Sequence, residues 1–342
     1  MTITSTVPSF IGINHKSKIY DGGNGTEQSP YRIVKLRHYN NVRRNPNAWF
    51  RQENDLIFTD EFEPDGEYYN NGACWLPMGD FGGRYDGQGF KIENLRSILN
   101  PFVQMQGSFA RHMVGSSQLK NIYFKNIHVD ATTSSVHIGG LVGFQGTAAG
   151  CVIEGVFMDG YVRAGTRVGG MVGRNCRLVR CGANLTMVFV QVAGGLVGGS
   201  STMQYIDDCY SRGSMSATNH RAAVHGSTFG ARIYRTYSTV LLTGGAGHLK
   251  RGIISAYDGY DGKSWDCYWD TQATTASLSN NYGGGLTVGL NTAQSKYPYP
   301  AYNANGDQGY AGWDFDTIWA HDTDGTINDG YPYLRGVTPI PE

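Results

Sequence analysis

The stretch that decides the fold is the motif "GGLVG" at 139–143, which returns as "GGMVG" at 169–173 and as "GGLVG" at 194–198. The second glycines of the three copies, at positions 140, 170 and 195, lie 30 and 25 residues apart. Self-similarity with a period of about 20 to 50 residues is typical of solenoids, in which each repeat is one small unit of structure. The motif therefore predicts a stack of short, similar units.

A second apolar pattern follows the motif and aligns in columns. Its first column is Leu119, Ile153, Leu178, Ile206 and Ile233, and three residues later come Ile122, Val156, Cys181, Cys209 and Thr236. Nine residues after the first column stand Val162, Met187, Met215 and Leu242. Short β-type runs at this period predict an all-β fold, a parallel β-helix (β-solenoid). Equivalent inward side chains should stack at about 4.8 Å.

The motif glycines are interpreted as architecture. Flanking glycines permit a positive φ and a sharp turn, and they let neighbouring coils approach closely. Leu and Val between them should form a short strand with one side chain in and the next out. A phosphate-binding loop is the weaker interpretation, because no Lys-Ser/Thr pair and no helix follows. The structural glycines are Gly139, Gly140, Gly143, Gly169, Gly170, Gly173, Gly194, Gly195 and Gly198.

Several further segments carry a resemblance to a known family. They are "DGGNGTEQSPYRI" at 21–33, "GRYDGQGFKIENL" at 83–95, "CYWDT" at 267–271, "WDFDTIW" at 313–319 and "NDGYPYLR" at 328–335. With the three glycine motifs, they resemble the GLUG-motif repeat family of bacterial and phage surface and adhesin-like proteins over about residues 20–336. The resemblance implies a right-handed parallel β-helix used for display or adhesion, without a shared catalytic site. The coils at "VHGSTFG" (224–230) and "GGAGHLKRG" (244–252) depart from the motif.

The chain divides into four expected regions. Residues 1–20 should be an attachment arm and 21–80 an N-terminal cap, with a helix over 34–44 and a strand over 48–58. Coils should occupy 81–255. Residues 256–342, rich in Tyr, Asp and Gly, should form an irregular C-terminal cap and tail that closes the other end. Its expected buried anchors are Trp265, Trp269, Trp313 and Trp319.

Composition narrows the function classes. The formal net charge is +0, which gives no electrostatic footprint for nucleic acid. No apolar run approaches the roughly 20 residues of a membrane span. The start "MTITSTVPSFIGINHKSKIY" lacks the pattern of a signal peptide, which suggests a protein made and folded in a cytoplasm. No cofactor is expected.

The six cysteines contain no CxxC pair, so a zinc or thioredoxin-type site is disfavoured. Cys181 and Cys209 occupy the same column of successive coils and should be neighbours. Packed thiols are favoured over a disulfide, because free cysteine is among the most buried residue types.

An enzyme has to be considered, because parallel β-helices include glycan-cleaving enzymes, which need two carboxylates several ångströms apart. Asp159, Asp207 and Asp208 are expected on one solvated outer surface instead. Asp322, Asp324 and Asp329 in "HDTDGTINDG" faintly resemble a calcium loop, but the bidentate Glu is missing, so Asp-Gly turns are favoured. No metal site and no catalytic residue is predicted.

Tyrosines crowd the C-terminal third, interleaved with Asn, Asp and Gly. Exposed tyrosine offers a flat apolar face with a polar tip, which suits a carbohydrate or protein contact surface. The alternative is that these rings pack the irregular cap. The candidate binding residues are Tyr257, Tyr260, Tyr282, Tyr297, Tyr299, Tyr302 and Tyr310.

The sequence thus predicts a non-enzymatic structural or adhesive surface protein. The leading hypothesis is a bacteriophage virion component, a tail or capsid appendage that contacts a host surface glycan or protein. Its N-terminal arm would dock it to other virion proteins, and it could associate as a homotrimer. A secreted bacterial adhesin and a glycan-cleaving β-helix enzyme stay open as alternatives.

Overall fold

A computed structural model describes most of the chain. The described residues are 19–98, 105–131, 137–145, 151–175, 177–189, 191–200, 204–217, 220–226, 230–244, 250–255, 262–279, 284–299, 309–310 and 312–341.

The protein is all-β, with 47% strand and 7% helix, and its large sheets are long and parallel. Within the described ranges the helices are Leu36–Asn41, Thr271–Thr274 and Thr292–Ser295, with single 3₁₀ turns at Val42–Arg44 and Asn70–Gly72. None of these helices is long and apolar enough to cross a membrane.

Three parallel sheets and one antiparallel pair hold the strands. The long sheet contains Tyr31–Ile33, Trp49–Gln52, Leu56–Ile57, Arg84–Asp86, Lys91–Glu93, Arg96–Ile98, Gln118–Ala131, Val152–Ala164, Arg177–Val179, Gly182–Phe189, Gln204–Asp207, Tyr210–Ala217, Ala231–Tyr234, Tyr237–Ser238, Leu241–Thr243, Lys263–Trp265, Cys267–Asp270 and Thr287–Leu290. A six-stranded sheet contains Met105–Gln106, His137–Gly139, Arg167–Gly169, Val192–Gly194, Arg221–Ala222 and Lys250–Arg251. A five-stranded sheet contains Met78–Phe81, Ala110–Met113, Val142–Gln145, Val172–Arg174 and Val197–Gly199. Trp319–Ala320 pairs antiparallel with Tyr333–Leu334.

The strands pair coil on coil in the predicted register. The first column is confirmed, since Leu119, Ile153, Leu178, Ile206 and Ile233 are successive parallel partners and are all fully buried. The later column is confirmed in the same way by the pairs Val162–Met187, Met187–Met215 and Met215–Leu242. This arrangement is compatible with the predicted β-helix.

A fourth column, which the sequence did not reveal, bends the chain of the long sheet. It lies inside the strands Gln118–Ala131 and Val152–Ala164 and between consecutive strands in the later coils. In each coil, the residue that follows the first run of paired residues takes a left-handed backbone. The φ angle is 52° at Asn121, 62° at Gly155 and 51° at Arg180. The column continues through Asp208 and Arg235 with φ of 49° and 41°. Asparagine, aspartate and glycine tolerate this conformation best. The two arginines show that stacking can impose it on other residues.

The glycine motif is a corner between two sheets, which corrects the expectation of a single short strand. Gly139 ends a strand of the six-stranded sheet, and Val142 begins a strand of the five-stranded sheet. Leu141 and Val142 are both fully buried rather than alternating in and out. Because the chain turns between them, the period-two alternation of a continuous strand does not apply.

The expected positive φ of the motif glycines is also wrong, since none of the nine has one. Close approach of neighbouring coils is the operative reason. A Cβ on Gly140 would stand 2.1 Å from the carbonyl oxygen of Gly170, and one on Gly170 would stand 2.0 Å from that of Gly195. No real Cβ tolerates such a distance, so each corner requires glycine at the position that faces the next corner.

The corner recurs beyond the three clear copies. Gly195 packs closely against the backbone of Ala223, because a Cβ on Gly195 would lie 2.0 Å from the Ala223 carbonyl oxygen. Bridges then join Val197 to His225 and His225 to Ile254. The fourth and fifth corners are therefore 222–226 and 251–255, rather than the segments 224–230 and 244–252 suggested by the sequence.

The N-terminal region joins the stack. Tyr31–Ile33 pairs with Trp49–Gln52, which pairs in turn with Arg84–Asp86, so these strands form the first rungs of the long sheet. The expected helix is shorter than 34–44 and ends in a 3₁₀ turn. The expected strand over 48–58 is interrupted at 53–55. Most of the predicted arm lies outside the described residues. Its end, Tyr20, is buried and stacks on Tyr31 with ring centroids 4.1 Å apart.

Candidate ligand-binding groove

A column of aromatic rings runs up the outer face of the long sheet. Tyr123 pairs with Phe157, Phe157 with Gly182, and Gly182 with Tyr210. Tyr237 and Tyr268 continue the same column, which completes what we call the ring column, Tyr123 to Tyr268. Outward-facing rings of this size would expose a large apolar strip. Phe157, Tyr210, Tyr237 and Tyr268 are nevertheless buried.

The segment that covers them is the strap, residues 312–341. Trp313, Trp319 and Tyr331 of the strap belong to one buried cluster with the ring column, separate from the core inside the coils. The Trp319 and Tyr237 ring centroids lie 6.0 Å apart, and those of Tyr237 and Tyr331 lie 6.1 Å apart. The strap therefore builds a second hydrophobic core on the outside of the stack.

Hydrogen bonds fix the path of the strap. Trp313 Nε1 donates to the Asp266 carbonyl oxygen at 2.9 Å. Further along, the Tyr237 hydroxyl donates to the Pro332 carbonyl oxygen at 2.8 Å, and the Tyr210 and Thr338 hydroxyls lie 2.8 Å apart. The strap thus runs back along the side of the coils.

Residues 263–290 add the last described rungs of the long sheet, so the coils run past the expected boundary at 255 and this part of the predicted cap does close the stack. The strap does not. The strap lies on a lateral face, because the ring column offers apolar area there. Of the expected anchors, Trp313 and Trp319 are buried in the strap and Trp269 in the coil core, whereas Trp265 is half-buried and stacks on Tyr234.

A cavity of about 180 Å³ opens between the strap and the long sheet. Tyr123 and Phe157 of the ring column line it. The neighbouring outward column contributes Asp159, Asn184 and Arg212, which are successive strand partners. The strap closes the other side with Ile327, Asn328, Thr338 and Pro339.

A larger cavity of about 540 Å³ adjoins the first. The two share Tyr123 and Pro339, so they form one groove along the strap. Lys91, Lys125 and Asp55 line the far part of the groove. Both lysines are paired with carboxylates, since each ammonium lies 3.0 Å from an oxygen of Glu93.

The charged groups of the smaller cavity are also held by neighbours. The Tyr123 hydroxyl and the Asn126 amide both donate to the Asp159 carboxylate. Burial, with the hydrogen bond to Asp159, raises the pKa of Tyr123. Arg212 donates to Asn328 and Asp329 of the strap, and this hydrogen bond lowers the pKa of Asp329.

Two polar groups at the cavity have no such partner. Asn184 is exposed, and its carboxamide makes no hydrogen bond with any residue in the described ranges. The Nε of Arg212 is buried and is likewise without an acceptor in those ranges. A groove that combines aromatic walls with a few polar groups is the usual form of a small-ligand site.

The acidic residues named from the sequence separate in the structure. Asp207 and Asp208 do not lie on a solvated face, because both bind Arg235, and Asp208 is nearly fully buried. Trp319 Nε1 also donates to Asp208 at 3.1 Å. Burial, together with neighbouring Asp208, raises the pKa of Asp207. Of the three, Asp208 anchors the strap through Trp319, and only Asp159 lines the groove.

Asp322 organises a turn of the strap, which agrees with the turn that the sequence favoured over a calcium loop. Its carboxylate accepts the backbone N–H groups of Asn328 and Gly330 at 2.7 and 2.8 Å. Across the described residues no cluster of His, Cys, Asp or Glu has the arrangement of a metal site.

Three of the seven candidate tyrosines are described, and they come together. Tyr299 lies 5.8 Å from Tyr297 and 4.9 Å from Tyr310, measured between ring centroids. Tyr310 is buried and donates to the Ser295 carbonyl oxygen, so it packs the cap and is not a surface ligand group. Tyr297 is 43% exposed. The other four, Tyr257, Tyr260, Tyr282 and Tyr302, lie outside the described residues.

The described cysteines are free and buried. The backbone N–H of Cys181 donates to the Cys209 sulfur at 3.3 Å, which confirms that the two are neighbours. Burial raises the pKa of Cys209 well above its usual value, so it is held as a neutral thiol. Packed thiols, as expected, fill this column.

One surface pair has the geometry of an acid–base couple. His112 Nδ1 lies 2.7 Å from an Asp80 carboxylate oxygen. In a hydrolase this pairing orients the imidazole toward a nucleophile. No Ser, Thr or Cys of the described ranges makes a hydrogen bond with His112, and Phe144 packs edge-on against its ring.

Comparison with known proteins adds a structural relative. No family model matches the chain, and no curated protein matches it. Among solved structures, the chain is similar to a protein of Bacteroides ovatus described as a "putative immunoglobulin A1 protease", at 18% identity and a TM-score of 0.71. The match covers 93% of this chain and 96% of the other. At this identity the likeness concerns the fold.

The groove lies on the ring column and not at the tyrosines predicted in the C-terminal third. The signal was nonetheless present. Four residues after each first-column residue stands the ring column, with Tyr123, Phe157, Gly182, Tyr210 and Tyr237. Large aromatic side chains repeated on an outward position require a cover, and that requirement could have pointed to this face.

Proposed function

We propose that this protein is a non-enzymatic, right-handed parallel β-helix that displays a contact surface. Its leading place of display is a bacteriophage particle, as a tail or capsid appendage that touches the host. The observation that carries the proposal is the groove between the strap and the outer face of the stack. The groove is open, lined by rings and amides, and its charged groups are already paired with one another.

The architecture supports a display role physically. Stacked coils hold outward side chains at a fixed spacing, and the strap fixes the opposite wall through buried Trp319. A preorganised surface loses little conformational entropy on binding, so weak individual contacts can still yield useful affinity. Several copies on one particle would add avidity. The N-terminal arm as the docking element and a homotrimer as the assembled form belong to this proposal.

A secreted bacterial adhesin is the alternative place of display for the same surface. The contact chemistry would be identical in both cases, since either protein touches a cell surface through the groove. Localisation therefore separates them.

Immunogold electron microscopy of the source culture, with antibody raised to this chain, makes the separation. Gold on phage heads or tails supports the virion proposal. Gold on cell envelopes supports the adhesin. Gold on neither structure refutes the display role.

A peptidase is the second candidate, because the structural relative carries a protease name and because His112 pairs with Asp80. Incubation of the protein with immunoglobulin A1 and with casein tests it. Cleavage that His112→Ala abolishes would replace the display proposal. A glycan-cleaving enzyme is tested in the same way, by the appearance of new reducing ends or unsaturated sugars from host polysaccharide.

A further inference from the structure

We propose that the groove binds a neutral oligosaccharide, with one hexopyranose ring in the cavity at Asn184. This inference deepens the proposed function, on which it rests for its biological setting, by naming the class of ligand at the contact surface. The binding itself is a property of the isolated protein.

Size is the first argument. The cavity at Asn184 is about 180 Å³, below the roughly 300 Å³ at which sites for drug-sized ligands begin. It suits a single ring. The adjoining cavity of about 540 Å³ gives room for further units of the same chain beyond Tyr123. An elongated groove with a narrow end fits a linear polymer of small rings.

The lining is the second argument. Tyr123 is half-buried and presents ring surface, which packs against the apolar C–H face of a pyranose, whereas Phe157 lines the cavity as a buried side chain. The Asn184 carboxamide carries two donor hydrogens and an acceptor oxygen, so it can bind two adjacent hydroxyls. The Asp159 carboxylate can accept from further hydroxyls, because two oxygens offer about four acceptor sites.

Charge is the third argument, and it selects neutral sugars over acidic ones. At the narrow end the Asp159 carboxylate lines the cavity, and the Arg212 guanidinium is bound to the Asp329 carboxylate. At the wide end Lys91 and Lys125 are balanced by Glu93 and Asp55. An anionic ligand would therefore find no net positive field. The affinity for a neutral ligand rich in hydroxyls does not depend on a net positive field, so the balance of charges does not weaken its binding.

The test is saturation-transfer NMR on the intact protein, with neutral hexoses and neutral linear oligosaccharides as probes and sialyllactose as the acidic comparison. We expect signals from a neutral hexose, stronger binding of an oligosaccharide, and none from the acidic comparison. Absence of binding by every neutral probe at millimolar concentration overturns the inference, as does binding of the acidic probe alone.

Two variants on one strand locate the site. Asn184→Ala should weaken oligosaccharide binding about ten-fold, the effect of losing one or two hydrogen bonds. Thr186→Ala is the matched control, because Thr186 is the next exposed residue of the same strand and does not line the groove. Equal affinity of Asn184→Ala and the wild type would place the ligand elsewhere and overturn the assignment.

The oligosaccharide inference and the display proposal can be refuted independently of each other. A negative NMR result with gold on phage particles would leave display intact and point to a protein receptor. Sugar binding with no labelling of particles or envelopes would leave the site intact and refute the display setting.

Discussion

The inside of the coils and the outer face beneath the strap are both hydrophobic cores, but they are built differently. Inside, each coil packs on its neighbour through columns such as Ile153 on Leu178, with partners about 25 to 34 residues apart in sequence. Outside, Tyr210 contacts Thr338, which lies 128 residues away. The interior repeats and can be extended coil by coil, whereas the outer core exists only where one particular segment returns.

This difference teaches where specificity resides. A repeated interior makes every coil alike and leaves no special position on the stack. The strap breaks that equivalence, because it covers some coils and ends near Lys91. The groove arises at that break, so the unique feature of the surface comes from the non-repeating part of the chain.

The largest expected effect tests whether the outer core is as well packed as the inner one. Trp319→Ala should lower the free energy of unfolding of the strap by about 3 to 5 kcal/mol, because Trp319 is fully buried and bonded to Asp208. Limited proteolysis should then cut within 312–341 while the coils resist. Ile340→Ala, on an exposed strap residue, should change stability by less than about 0.5 kcal/mol. Equal protease resistance of Trp319→Ala and wild type would contradict this account.

The next effect probes the corners of the inner core. Gly170→Ala should lower the free energy of unfolding by about 3 kcal/mol, because the new Cβ would stand 2.0 Å from the Gly195 carbonyl oxygen. Gly79→Ala should be close to neutral, since no atom lies within 4 Å of the added Cβ. Denaturant unfolding of both variants measures the difference, and similar midpoints would show that the corners do not require glycine.

The effect of acid is smaller when it is counted per pH unit. Burial lowers the pKa of both His225 and His137 to about 3 in the folded protein, from an ordinary 6.5. Below pH 6.5 the unfolded chain binds protons that the folded chain does not, so stability falls as pH falls. The slope should be about 1.4 kcal/mol per pH unit for each histidine between pH 6.5 and 3.

Urea unfolding at pH 7, 6, 5 and 4 measures that slope. His225→Val matches the Val142, Val172 and Val197 found at the same corner position, and it should remove one histidine's share. An unchanged slope in this variant would mean that His225 is protonated in the folded protein or is not buried.

The last prediction is that a reductant has no effect on stability. Because Cys181 and Cys209 are packed free thiols, a reductant should leave the melting temperature unchanged. Differential scanning calorimetry with and without dithiothreitol checks this. A lower melting temperature in reductant would indicate a disulfide that closes one coil on the next.

The sequence predicted the inner core well for a physical reason. Residues such as Leu119 and Ile153 occupy the same buried position in successive coils. Apolar residues therefore recur in the sequence at the spacing of the repeat. The motif glycines were also recognised, although close approach rather than a positive φ explains them. Both signals are local or periodic.

The groove could not be predicted in the same way, because its walls come from distant segments. Asn184 and Arg212 are strand neighbours, but Asn328 and Pro339 reach them only through the folded path of the strap. Nothing periodic links these residues. The tyrosines of the C-terminal third were predicted from local composition, whereas the site depends on how the strap covers the ring column.

The most direct test of the central claim is hydroxyl-radical footprinting of tyrosine in the native protein, read by mass spectrometry. If the strap covers the outer face, Tyr210, Tyr237 and Tyr268 should resist oxidation, and the exposed Tyr205 and Tyr297 should react. Oxidation of the ring-column tyrosines at the rate of Tyr205 would show an uncovered outer face, and it would remove both the strap and the groove from the account.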